Sequence, residues 1–248
     1  MKELRRILIE PKRLYKNNRT LELVKLLKSE YHYLSRVIRL KNGEHFLVLD
    51  GCGNLWLAEL ADSNYLRLKS QLEDSNLVKI KTPLICLAVV IPKNGFDDIL
   101  RMTSEIGVDK IQPLTSLRCE VNIKNSKDRW RNIIRESVEL SERLWQPELF
   151  EPLQFEDWLN TLSSNSLYSI ATTRQSHLPH LMSYLESSYQ NQDMIWVVIG
   201  PEGGWTENEL LAANQFGLTY VQLGDSILRT STAAIVSIES ISSWRRGP

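Results

Sequence analysis

Two stretches near the carboxyl end combine residue types that grip a ligand through the main chain. The first reads Ile195-Trp196-Val197-Val198-Ile199-Gly200-Pro201-Glu202-Gly203-Gly204-Trp205-Thr206-Glu207-Asn208-Glu209. An apolar run enters a turn with three glycines in five residues, a rigid Gly-Pro step and an acid. Glycine lets the backbone approach a ligand closely. Thr206 and Glu209 have capping-box spacing, so a helix should open at once. The carboxyl end of a parallel strand is where α/β sheets usually bind ligands. An ordinary tight turn is the plainer explanation, but it needs fewer glycines. The loop is neither GxGxxG nor GxxxxGK(S/T), so neither motif points to a dinucleotide fold or a P-loop. The second stretch, Leu223-Gly224-Asp225-Ser226-Ile227-Leu228-Arg229-Thr230-Ser231-Thr232-Ala233-Ala234, repeats the plan. A strand ends at glycine, and a helix follows with Thr and Ser as candidate caps. Ile227 and Leu228 offer an apolar wall for a flat ring, or simply a core leucine beside a helix cap.

Positioning these loops requires a layered scaffold, and the apolar pattern supplies one. Residues 84–92 form a continuous apolar run rich in β-branched residues, as in a strand covered on both faces. Residues 108–114, 167–171, 195–199 and 220–223 also read as strands. Helical spacing appears over 96–107, 128–145, 178–189, 206–217 and 230–244. Strands alternating with helices give an α/β domain with a parallel sheet. The first part of the chain differs. Residues 6–10, 46–50 and 55–60 read as short strands, the last two joined by Gly51-Cys52-Gly53-Asn54. Leu23, Val24, Leu26 and Leu27 suggest a short helical patch. The polar segment 69–81 is the linker candidate, so the expected division is a β-rich domain over 1–72 and an α/β domain over 73–248.

The 248 residues carry 30 basic and 30 acidic side chains, with 42% hydrophobic residues, enough for a sizeable core. The balance is uneven. Residues 1–72 hold 14 Lys/Arg against 8 Asp/Glu, a net of +6. A basic segment on a neutral chain suggests contact with a polyanion, or else plain surface charge. The three cysteines, Cys52, Cys86 and Cys119, form no CxxC pair and no disulfide framework. The apolar runs are too short to span a bilayer, and no signal segment is visible, so a soluble cytoplasmic protein is expected. His177 and His180 have ligand-like spacing without a third donor nearby, so no metal is expected.

Together the two glycine loops resemble those of the RsmE-type family of SPOUT methyltransferases, whose hallmarks are IGPEGG and LGxxILRTxTA. The likeness extends along the chain. Residues 104–114 are similar to the family's ELGVxxIxPL element. Arg129-Trp130, Glu139, Ser141, Arg143 and Pro147-Glu148 resemble its RW…EQSxR…PE helix, and residues 31–43 its HHLxxVLRLxxG segment. The resemblance implies an N-terminal PUA-like β-barrel and a C-terminal α/β domain tied in a deep trefoil knot. It implies a homodimer that uses S-adenosylmethionine to methylate uridine N3 in 16S ribosomal RNA of the small subunit. Cofactor contacts are then expected from Leu167, Ala171, Thr172, Ile199, Gly200, Pro201, Glu202, Gly203, Gly204, Leu223, Gly224, Ile227, Leu228 and Thr232.

Methyl transfer to an imide nitrogen requires positioning and removal of a weakly acidic proton, through a base or stabilised negative charge. Arg229 and Arg143 are the candidates to steady that charge, and Glu139 the candidate carboxylate. Glu139 and Arg143 also have the spacing of a surface helical ion pair. Arg5, Arg6, Arg36 and Arg39 are the expected RNA contacts, the last two on one side of a helical turn. The chain departs from the family pattern at Ser231 (commonly Glu), Met102 (commonly Lys), Leu140 and Glu142. Two other readings stand beside this one: a SPOUT enzyme acting on tRNA or 23S rRNA, and a non-catalytic RNA-binding assembly factor.

Overall fold

The computed structural model describes residues 4–17, 19–62, 64–72, 80–119, 127–173, 175 and 177–247. They divide into two compact units, one comprising Met1–Ile80 with Arg135–Gln146, the other Lys81–Ile134 with Pro147–Pro248. The sequence suggests a single cut at 72/73. The return of 135–146 to the first unit carries no compositional mark, because it depends on partners far away in sequence. Most of the linker candidate lies outside the described residues, and 69–71 are the end of a strand.

The first unit runs β1 (Arg6–Leu8), α1 (Pro11–Leu14), the paired β2 (Tyr15–Lys16) and β3 (Arg19–Thr20), then β4 (Leu23–Lys25). Next come α2 (Lys28–His32), a π-helical turn at Tyr33–Val37, β5 (His45–Leu49), β6 (Leu55–Ala61) and β7 (Tyr65–Gln71). The sheet order is β1-β5-β6-β7-β4, antiparallel except for β1 on β5. The expected β5–β6 hairpin forms. Asp50 closes its turn by accepting from the Cys52 and Asn54 amides at 2.8 and 3.0 Å. The helical patch at 23–27 is instead strand β4 followed by the extended Leu26 and Leu27, the latter the cap of α2. Val24 and Leu26 are buried while Leu23, Lys25 and Leu27 are exposed, a period of two rather than 3.6. With Phe46, Val48, Trp56, Leu60 and Leu66, they build one apolar core.

The second unit contains β8 (Leu84–Val90), α3 (Phe96–Ile106), β9 (Lys110–Thr115), the first part of α4 (Lys127–Leu140, whose residues from Arg135 on belong to the first unit), β10 (Glu148–Leu149), β11 (Leu153–Gln154) and α5 (Phe155–Leu159). It ends with β12 (Ser166–Ala171), α6 (Leu181–Ser188), β13 (Met194–Ile199), α7 (Glu207–Gln215), β14 (Thr219–Val221) and α8 (Thr230–Arg246). Every strand pair in this sheet is parallel, in the order β10-β9-β8-β13-β12-β14, with β11 also on β9. Cys86, Ala88 and Val90 join Phe155, Trp158, Trp196 and Trp205 in the core beneath α5 and α7. Alternate residues Ile85, Leu87 and Val89 are equally buried on the opposite face. There α8 lies against β8, β13, α3 and α6. Its apolar residues Ala233, Ala234, Ile238 and Ile241 are consumed in this packing.

Two helices are shorter than the periodicity predicts. The helix expected to reach 145 stops at Leu140, and Glu142 adopts a left-handed φ of 61°. The helix expected from 178 starts at Leu181, where His180 caps it by accepting from the Met182 amide.

Candidate functional site

Strands β13, β12 and β14 are adjacent and parallel, so their carboxyl-end loops emerge side by side. This places both glycine stretches beside Ala171 and Thr172, at one end of the sheet. The loops are stitched together. Thr230 donates its hydroxyl to the Gly200 carbonyl at 3.0 Å, and the Trp205 indole N–H donates to the Ala171 carbonyl at 3.2 Å. The Thr172 amide reaches the Val221 carbonyl at 3.1 Å, extending the strand pairing into the loops.

Each glycine of the first loop has a distinct cause. At Gly200 a Cβ would stand 2.8 Å from the Trp205 indole. That residue is glycine because it admits Trp205, whereas the sequence suggests it admits a ligand. At Gly203 a Cβ would meet the Arg118 side chain at 3.4 Å. Gly204 has a left-handed φ of 71° and open space on its Cβ side. Its amide closes a turn on the Pro201 carbonyl at 2.9 Å. The predicted capping box forms, with the Glu209 amide donating to the Thr206 hydroxyl at 3.2 Å and the Thr206 amide to Glu209 at 2.8 Å. Glu209 also accepts from the Leu117 amide at 3.3 Å, an anchor to the segment after β9 that the spacing could not reveal.

In the second loop Gly224, Asp225, Ser226 and Ile227 are exposed, and Leu223 and Leu228 half-buried. Ile227 is 71% exposed, a large apolar side chain standing free beside open backbone. Helix α8 has no side-chain cap. Arg229 occupies the cap position and Thr230 turns its hydroxyl to Gly200 instead. Thr232 is exposed in the first turn of α8, beside half-buried Ser231. Leu167 is the one expected contact that the fold carries away. It sits at the amino end of β12, paired with Ile195 and buried, some four residues or about 13 Å from Ala171.

These features match known proteins over nearly the whole chain. Residues 80–242 match the RNA methyltransferase domain family, and residues 26–69 the RNA methyltransferase PUA domain family. The ribosomal RNA small subunit methyltransferase E of Synechocystis is 35% identical over 221 residues, 88% of this chain and 72% of the relative. That of Rickettsia conorii is 31% identical over 237 residues, 92% of this chain and 94% of the relative. The chain belongs to the ribosomal RNA small subunit methyltransferase E family. A putative Legionella pneumophila methyltransferase solved with bound S-adenosylmethionine has a TM-score of 0.82 at 25% identity, covering 98% of each chain. The Neisseria gonorrhoeae family member, solved with the same cofactor, has a TM-score of 0.83 at 24% identity. The fold is accordingly a parallel α/β RNA methyltransferase domain with an N-terminal PUA domain.

The remaining candidates of this family member separate by unit. Arg229 is exposed on the second loop and makes no polar side-chain contact among the described residues. Glu139 belongs to the first unit, where its carboxylate accepts from the Leu8 amide at 2.7 Å and from Arg135 at 3.3 Å. Burial raises its pKa, against the lowering effect of those two donors. A helical Glu139–Arg143 pair does not form, because α4 ends before Arg143 and the helical partner is Arg135. Arg6 is largely buried and holds the Glu142 carboxylate at 2.6 Å. Arg5, Arg36 and Arg39 are exposed. Arg36 and Arg39 do not share a helical face, since Arg39 lies beyond the π-helical turn with φ 64°. Among the described residues no cluster of three or more His, Cys, Asp or Glu has a metal-binding arrangement.

Proposed function

We propose that this chain transfers a methyl group from S-adenosylmethionine to N3 of a uridine in 16S ribosomal RNA of the small subunit. The observation that carries this reading is the junction of three loops at the ends of β13, β12 and β14, held by Thr230–Gly200 and Trp205–Ala171. The open backbone at Gly204 and Gly224, with apolar Ile227 and Leu228 beside it, fits a cofactor that combines a flat adenine with a polar amino-acid end. Bound there, the cofactor supplies an electrophilic methyl group. The main chain of 171–172, 199–204 and 223–228 holds and orients it. Arg229, charged and without a side-chain partner among the described residues, stabilises the negative charge that grows on the uracil oxygens as N3 releases its proton to solvent water, which leaves the N3 lone pair to take the methyl group. The carboxylate of Glu139 is engaged by Leu8 and Arg135, and its part is to hold the first unit together.

Exposed Arg5, Arg36 and Arg39 contact RNA phosphates, in a segment with a net charge of +6 over residues 1–72. The protein acts in the cytoplasm as a homodimer. Family membership supports the dimer; Ala233, Ala234, Ile238 and Ile241 of α8 do not, since they pack inside their own unit. Light scattering at micromolar concentration should give twice the 28.7 kDa chain mass, and a clean monomer mass refutes this point. The test of the whole reading is incubation with methyl-labelled cofactor and small-subunit RNA from cells lacking the gene, followed by nucleoside mapping. N3-methyluridine at one position is the expected product. A methylated ribose, or cofactor binding without turnover, overturns the assignment.

A further inference from the structure

Arg118 follows β9 and reaches the glycine loop with two interactions of different kinds. One guanidinium nitrogen donates to the Gly203 carbonyl at 2.9 Å and to the Trp205 carbonyl at 3.4 Å. The methylene stem lies against Gly203, where a Cβ would touch Arg118 Cβ and Cδ at 3.4 Å. These carbonyls flank Gly204, the residue with φ 71°. The same segment is pinned next door, where the Leu117 amide donates to Glu209. From outside the loop, Glu202 is likewise held by the Lys93 amide at 3.2 Å.

We infer that Arg118 is a positioning residue that fixes the Gly203–Gly204 backbone in the conformation that receives the cofactor. The inference rests on the reading of this loop as the cofactor site. Two consecutive glycines have more conformational freedom than any other pair, so an unrestrained loop would sample many states and bind only from a few. A guanidinium bridging two carbonyls removes that freedom without occupying the open side of Gly204.

The test compares the full-length wild type with Arg118→Ala, Arg118→Lys and the control Arg129→Ala, which removes an exposed arginine paired with Asp97 in the same unit. Hydrogen exchange of the cofactor-free protein reads the loop, calorimetry reads S-adenosylmethionine affinity, and steady-state kinetics separates KM from kcat. Arg118→Ala should speed exchange at 203–206 and raise the cofactor Kd and KM about tenfold, the loss that freeing about one backbone residue implies. At saturating cofactor kcat should stay within about twofold, because the bound state is the same. Arg118→Lys, able to reach the Gly203 carbonyl alone, should recover part of the affinity, and Arg129→Ala should match wild type. Unchanged exchange and affinity in Arg118→Ala overturn the inference. Equal losses in kcat and KM, unrelieved by lysine, overturn it too. Faster exchange in Arg118→Ala with no cofactor binding by wild type supports the restraint and removes the cofactor reading instead.

Discussion

Both units have an apolar core, but they differ in how much charge they bury beside it. In the first, a network of buried charge crosses the module. Glu30, 2% exposed at its side chain, accepts from Arg13 at 2.6 Å and from Arg135 at 3.2 Å. Arg135 continues to the Leu8 carbonyl and to Glu139, so residues separated by more than a hundred positions share one set of charges. In the second unit the sheet is packed by apolar and aromatic side chains, with Asp109–Arg245 as a buried pair at 2.7 Å. The lesson is one of division. Burying charge yields directional contacts that select one arrangement, at a desolvation cost. An apolar sheet supplies stability without direction, and its loops need separate hydrogen bonds to hold a shape.

The sharpest way to break this contrast is Glu30→Ala. It leaves Arg13 and Arg135 facing a buried gap, and the first unit should lose about 3–5 kcal/mol, measured by urea denaturation. The loss should be largest at neutral pH. Burial opposes the charge on Glu30, but the Arg13 hydrogen bonds, the Leu27 amide and Arg135 together hold its pKa below the ordinary value. Its contribution is therefore present above the ordinary carboxylate range and fades as pH falls through the lowered pKa. A mutant deficit that does not shrink in acid would show that the network is not electrostatic.

Arg229→Ala should next cut turnover about a hundredfold, as removal of one charge-stabilising donor does, with cofactor affinity and stability nearly unchanged. A variant with wild-type kcat removes Arg229 from the chemistry. Gly200→Ala should cost about 1–3 kcal/mol through overpacking against Trp205, and calorimetry should show weaker cofactor binding as the indole shifts. If affinity survives that shift, the bonding between the loops is not what shapes the site. The smallest effect belongs to Arg36→Ala with Arg39→Ala. The salt dependence of RNA binding should flatten by roughly 0.7–0.9 for each phosphate the variant no longer neutralises, with the cofactor Kd unmoved. An unaltered slope would leave the first unit's charge without a role in RNA docking.

Much of this was readable along the chain. The loop after Ile199, the Thr206–Glu209 cap and the strand–helix alternation are local, set by glycine freedom, capping chemistry and apolar period, so sequence spacing displays them. The failures share another cause. Residues 23–27 look helical because 3.6 and 2 are hard to separate over five residues, and pairing of Leu23–Lys25 with β7 decided for a strand. Arg6 reads as a free cation until Glu142 is found beside it. Arg118 carries no motif, and only the approach of its loop to Gly203 gives it a partner.

The sequence by itself determined the parallel α/β plan, the two glycine loops and the basic bias of the first 72 residues, because each is written in residue type and short-range spacing. Tertiary structure alone decided that β12 would lie between β13 and β14, bringing the loops to one end of the sheet. It also decided that Trp205 would claim Gly200, and that Glu139 would serve Leu8 and Arg135. Those outcomes depend on which distant groups the folded chain brings within hydrogen-bond reach, a property that no local spacing encodes.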